Sequence, residues 1–212
     1  MTARKVVTRS GGHSRGLMPS IKNRISIPWE SKNELRFYQW LELSPLVLSF
    51  MVQAVREHII VDGKPAIYYP DVQVFFNDGT SCYVEVKPEL KCRTSPVKAR
   101  LTGIREHYRE TNQQFYLITD EWLAKEPRAS NLERLMYHRR QILLSKMEKI
   151  RLSGLLSSHQ PQTVSELISL VGEEKAWLLL GLSIVGVDLE LPMIASTNLF
   201  LTGGHRHANF FS

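Results

Sequence analysis

Residues 68–89 read YYPDVQVFFNDGTSCYVEVKPE, two runs of alternating apolar residues on either side of Asn77-Asp78-Gly79. This is the pattern of a β-hairpin, and its register can be tested on the sequence alone. A three-residue loop at Asn77-Asp78-Gly79, with the glycine left-handed, sets Phe76 against Thr80, so that the numbers of paired residues sum to 156. Val72, Val74, Phe76, Cys82, Val84 and Val86 then share one face, and Asp71, Gln73, Phe75, Ser81, Tyr83, Glu85 and Lys87 the other. A two-residue loop at Asp78-Gly79 would slip the pairing by one and mix Glu85 and Lys87 with the valines of the first strand, which a one-sided core resists.

The preferred register sets Asp71 directly opposite Glu85, with β-carbons ~5 Å apart and Lys87 as a diagonal neighbour. Two like charges so placed repel. A divalent cation between them turns the repulsion into attraction, and hard carboxylate oxygens favour Mg²⁺ or Mn²⁺. Lys87 beside that ion could hold a phosphate oxygen or an attacking water and stabilise developing charge. The plainer alternative is a solvated strand face carrying a cross-strand Asp–Lys pair.

The chain around the hairpin has 212 residues, 43% hydrophobic and 23% charged, ordinary for a globular protein large enough for one full domain and a small second one. Cys82 and Cys92 form no metal-ligand pattern and read as free thiols of a reducing compartment. The longest apolar run, residues 176–187, is shorter than the ~20 residues of a membrane span, and the N-terminus lacks the apolar core of a signal peptide. A cytoplasmic protein without membrane contact is expected. The net charge of +6 divides unevenly, with +8 in residues 1–150 and −2 in residues 151–212. Arg4, Lys5, Arg9, Arg15, Lys22 and Arg24 all precede the first acid, Glu30, as a basic arm on DNA would require.

Upstream of the hairpin, Ser31 and Glu34 have capping-box spacing, and Leu35, Tyr38 and Leu41 repeat at helical intervals, predicting a helix over 32–43. Strands are expected at 46–55 and 58–63, the latter running to a turn at Asp62-Gly63. Downstream, Ser95-Pro96 opens a helix with an apolar stripe of Val97, Leu101, Ile104 and Tyr108, leaving Lys98, Arg105 and Arg109 on another face. A buried strand at 114–119 completes a strand, helix, strand order, and so an α/β layer. A long helix is expected from about Ser130, capped with Glu133, to Leu152. Beyond it, Thr163 and Glu166 cap a helix ending at Gly172, an apolar helix follows over 176–185, and residues 187–191 and 197–203 suggest a β-ribbon. Trp177 is expected to fill this module's own core, and His58, His107, His138, His205 and His207 to lie on the surface.

Pro70-Asp71, thirteen residues, then Glu85-Val86-Lys87 matches the signature of the PD-(D/E)xK nuclease superfamily. The run GLMPSIKNRISIPWESKNELRFYQWLELSPLVLSFMVQ (16–53) resembles the TnsA family, the endonuclease subunits of heteromeric transposases, as do VEVKP, LITDEWL and NLERLMYHRR. The resemblance spans about residues 16–145. It implies a restriction-endonuclease-like α/β core with a mixed sheet flanked by helices, followed by a small winged-helix-like domain. The implied domains are a basic arm (1–29), a nuclease domain (30–150) and a partner-binding domain (151–212). Glu34, Asp71, Glu85 and Lys87 are the implied catalytic residues. Glu34, Asp71, Glu85 and Val86 are the implied metal positions for Mg²⁺, with Mn²⁺ able to substitute, and Gln53 is a supporting polar group. Lys22, Arg24, Lys98, Arg105 and Arg109 are the candidate DNA contacts.

The expected reaction is hydrolysis of the non-transferred strand at transposon ends in double-stranded DNA, leaving a 5′-phosphate and a 3′-hydroxyl. The implied partners are a TnsB-like DDE transposase and a TnsC-like AAA+ regulator. The alternatives are a stand-alone PD-(D/E)xK repair or restriction nuclease and a non-catalytic DNA-binding adaptor.

Overall fold

The computed structural model describes residues 14–139 and 144–208. They divide into two compact units, the first ending at Ala124 and the second starting at Lys125 and including the short segment Leu43–Pro45. In chain order the first unit carries β1 (Gly16–Ser20), β2 (Ile25–Trp29), α1 (Lys32–Leu43), β3 (Val47–Val52), β4 (Glu57–Val61), β5 (Lys64–Tyr68), β6 (Val72–Phe76) and β7 (Ser81–Lys87). The one-turn α2 (Glu89–Cys92), α3 (Ser95–Glu110), β8 (Gln114–Thr119) and the one-turn α4 (Asp120–Leu123) follow.

Its centre is a four-stranded mixed sheet in the order β3-β6-β7-β8, antiparallel except for the β7–β8 pair. Val72 pairs with Val84 and Phe75 with Ser81, the expected register. The Phe76 amide donates to the Thr80 carbonyl at 2.9 Å across the three-residue loop, with Gly79 at φ +86°. Parallel neighbours need a crossover, and α3 provides it. Gly103 lets α3 lie directly on β4, because a β-carbon there would come within 2.1 Å of the Ile60 carbonyl oxygen.

One face of the sheet is the expected valine face, joined by Phe50 and Val52 of β3, with Tyr38 of α1 packed on Phe50 at 5.9 Å between ring centroids. The other face is not solvated. Leu101, Ile104 and Tyr108 of α3 pack against Tyr83, with Phe115 and Leu117 partly buried beside them. The core is therefore two-sided, and the expectation of a one-sided core is corrected.

Three expectations near the edges also change. Residues 16–29 of the expected arm form the β1–β2 hairpin, docked through Glu42, which accepts from the Ser20 hydroxyl and from the Ile21 amide at 3.2 Å. Residues 1–13 lie outside the described residues. β5 is not evident in the sequence, since LysProAlaIleTyr lacks alternation; the turn at Asp62-Gly63 (φ +50° and +74°) folds it back on β4. The cap of α3 is Thr94, so Ser95 and Pro96 both stand in its first turn.

The second unit holds α5 (Arg128–Arg139), α6 (Lys146–His159), α7 (Val164–Val171) and α8 (Glu173–Gly181). The long helix expected over 130–152 is two helices, because Ser145 and Glu148 form a fresh capping box at the start of α6. Ser130 is no cap; its hydroxyl donates to Glu126 at 2.7 Å. Thr163 caps α7 and Gly172 ends it, as expected. The predicted ribbon is reduced to isolated bridges, Gly186 with Phe200 and Asp188 with Arg206. Trp177 is buried under the Arg134 guanidinium, 3.8 Å from its ring centroid.

The divide between the units falls earlier than residue 150 because α5 packs on α8. With that boundary the formal charges are +4 before Lys125 and +2 from Lys125 on, so the sharp charge contrast disappears. Among the described residues no helix is long and apolar enough to cross a membrane.

Candidate active site

The register of β6 and β7, continued by one residue, brings Asp71 opposite Glu85. On the far side the Gln53 amide donates to the Asp71 carbonyl at 3.1 Å, so Gln53, Asp71 and Glu85 form a row across β3, β6 and β7. The Lys87 ammonium lies 2.5 Å from Glu85 Oε1 and 3.6 Å from Asp71 Oδ2. The backbone N–H of Val86 donates to Asp71 Oδ2 at 2.8 Å, and the Tyr68 hydroxyl donates to Glu85 Oε2 at 2.7 Å. The solvated-face alternative does not describe this arrangement. Glu85 is 4% exposed, the Asp71 side chain 15%, and that of Lys87 33%.

Burial first, and then the Glu85 carboxylate, push the Asp71 carboxyl well above its ordinary range, against the opposing pull of Lys87 and the Val86 N–H. Burial alone would lower the Lys87 pKa, but Asp71 and Glu85 outweigh it and raise it. Lys87 is thus the shared counter-charge of both acids. Burial and Glu85 also raise the Tyr68 phenol, which stays a hydrogen-bond donor at neutral pH.

Glu34 stands in the first turn of α1, and its carboxylate is occupied there. It accepts from the Glu30 amide at 2.9 Å and the Ser31 hydroxyl at 3.0 Å, while its own amide donates to Ser31 Oγ at 3.1 Å. The Tyr38 hydroxyl approaches it at 3.4 Å. Its charge nevertheless acts on both Asp71 and Lys87. The structure therefore brings Asp71, Glu85 and Lys87 into contact and keeps Glu34 at electrostatic range. Among the described residues no three His, Cys, Asp or Glu side chains are gathered to cage a metal by themselves.

Gln53 is conspicuous for two reasons. It has φ +45°, costly for a residue with a β-carbon, and its buried Oε1 has no hydrogen-bond partner although the residue is 7% exposed. Two carboxylates, and an unpartnered amide oxygen on the residue whose backbone bonds that of Asp71, are hard-oxygen donors. That fits Mg²⁺ or Mn²⁺, since Mg²⁺ is commonly bound through one or two carboxylates while retaining several waters. Val86 contributes through its N–H, which orients Asp71.

Of the candidate DNA contacts, Lys98, Arg105 and Arg109 are exposed on α3, and Arg24 is exposed in the β1–β2 turn. Lys22, in the same turn, donates from its ammonium to the Val47 carbonyl at 2.6 Å. The expectation that all five histidines are superficial fails at His205, which is 2% exposed, accepts from the Val187 amide at Nδ1 and bonds the Leu180 carbonyl through Nε2. Sequence reasoning also missed Tyr68. Its signal was a tyrosine three residues before Asp71 in an otherwise apolar context, because a buried phenol needs a polar partner.

The chain matches no protein-family model, and no curated protein matches it.

Proposed function

We propose that this chain is a Mg²⁺-dependent DNA endonuclease of the PD-(D/E)xK kind, acting as the TnsA-like subunit of a two-enzyme transposase. The observation that carries this reading is the pair of buried carboxylates, Asp71 and Glu85, opposed across two strands and sharing the Lys87 ammonium. A fold under selection for stability alone does not oppose like charges there.

Asp71 and Glu85 would hold the ion, with Gln53 beside them and Glu34 as the third acid implied by the resemblance. When bound, the ion supplies positive charge to the scissile phosphate and lowers the pKa of water. The chain's own groups do the rest. The Val86 N–H fixes the Asp71 carboxylate. Lys87, the most exposed of the three charged groups, remains protonated and can turn from Glu85 to a phosphate oxygen or to the attacking water. Hydrolysis would leave a 5′-phosphate and a 3′-hydroxyl on the non-transferred strand. The second unit, read as winged-helix-like, would meet a TnsC-like regulator, and a TnsB-like transposase would cut and join the other strand.

The test is strand-specific cleavage of end-labelled transposon-end DNA in Mg²⁺, with and without the DDE transposase. A nick at the 5′ ends that requires the transposase is expected. Cleavage of plasmid DNA by the chain alone would favour the stand-alone nuclease, and binding without cleavage under both conditions would favour the adaptor.

A further inference from the structure

Tyr68 belongs to none of the motifs that suggested the site, yet its hydroxyl meets the most deeply buried of the site's acids. We infer that Tyr68 is a positioning residue, holding Oε2 of Glu85 so that Oε1 is the oxygen presented to Lys87 and to a divalent cation. This rests on the nuclease reading and extends it to a residue on the neighbouring β4–β5 hairpin.

The two oxygens of Glu85 have different partners. Oε2 accepts from Tyr68 at 2.7 Å, and Oε1 faces Lys87 at 2.5 Å. A carboxylate rotates about one bond, so fixing one oxygen fixes the other. Tyr68 can act as the fixed point because its ring is itself held. It is 2% exposed and meets Tyr108 edge-to-face at 6.4 Å. Tyr108 in turn stacks on Tyr83 at 4.7 Å and on Phe115 at 5.3 Å, tying the arrangement to α3 and to both parallel strands. A buried phenol with so little freedom donates its hydrogen bond from one place, as do the groups that orient metal-binding side chains from behind.

The experiment titrates Mn²⁺ into the full-length protein by calorimetry and measures the Mn²⁺ dependence of cleavage, for wild type, Tyr68→Phe, Glu85→Gln and the double variant. Tyr68→Phe should weaken Mn²⁺ binding about tenfold and raise the Mn²⁺ concentration for half-maximal cleavage in parallel, leaving kcat at saturating Mn²⁺ within about threefold. In the Glu85→Gln background the same change should alter Mn²⁺ affinity by less than about twofold, because the anionic carboxylate it positions is gone. Wild-type Mn²⁺ affinity in Tyr68→Phe, or an equal loss in both backgrounds, would overturn the inference. So would failure of Tyr68→Phe to fold, which would make the hydroxyl a purely structural group. If wild type itself binds no Mn²⁺, the nuclease reading fails before this inference is reached.

Discussion

His205 and Glu85 are buried to almost the same degree, 2% and 4% exposed, and their surroundings are opposite in kind. In the second unit His205 is enclosed by backbone. Val187 N–H donates to Nδ1, which leaves Nε2–H to donate to the Leu180 carbonyl, so the neutral ring is satisfied on both sides. Asn131 in the same unit likewise donates to two carbonyls, those of Leu189 and Leu191, both at 2.9 Å. In the first unit Glu85 faces another carboxylate, one lysine serves two acids, and the neighbouring Gln53 keeps an unpartnered oxygen in a strained backbone. Polar burial of the first kind ties segments together. The second kind costs stability unless a ligand satisfies it.

The largest effect that would sharpen this contrast is on catalysis. Lys87→Met should lower the Mg²⁺-dependent cleavage rate by about a hundred- to a thousandfold. Its Mn²⁺ affinity should hold or tighten, since the ammonium no longer competes for the carboxylate oxygens. Initial rates on labelled DNA together with a calorimetric titration decide it, and a rate within about tenfold of wild type would remove Lys87 from the chemistry.

His205 tests the other side of the comparison. Burial, assisted by Arg139 and opposed by the two backbone hydrogen bonds, lowers its pKa from 6.5 to about 4. The unfolded chain therefore takes up this proton before the folded one does. The stability His205 confers is complete above pH 6.5 and is lost as pH falls toward 4, on the order of 3 kcal/mol at most. Hydrogen exchange at the Val187 amide should accelerate across that window, and a flat profile would contradict the neutral, doubly bonded ring.

A smaller effect is expected on DNA affinity. Replacing Lys98, Arg105 and Arg109 with alanine should flatten the salt dependence of DNA binding by about one unit of slope for each phosphate no longer neutralised. An unchanged slope would make them a solvated helix face.

The sheet and the pairing of Asp71 with Glu85 were legible because strand alternation has a period of two and Gly79 fixes the loop length, leaving little freedom in register. α1 and α7 were legible from their caps. What was not legible was either hidden in a continuous local pattern or set by distant packing. The break in the expected long helix is governed by a capping box at Ser145 that lies within an apparently continuous pattern, and the unit boundary by α5 packing on α8. His205 follows two glycines and precedes Arg206 and His207, a local context that gives no hint of a buried partner at Leu180. In the site, the roles of Tyr68 and of the Val86 N–H arise from contacts across strands, while Glu34 satisfies its capping pattern with the same carboxylate that the family resemblance assigns to the metal.

Asp71 and Glu85 are proposed to oppose each other in order to bind a divalent cation. Mn²⁺ titrated into the full-length protein and into Asp71→Asn, with thermal unfolding of each protein recorded without added metal, tests it most directly. Wild type should give a saturable isotherm that is lost in Asp71→Asn, whose fold without metal should be as stable as wild type or more stable by ~1 kcal/mol, because a buried repulsion has been removed. Equal Mn²⁺ binding by the two proteins, or a clear loss of stability in the variant, would contradict it.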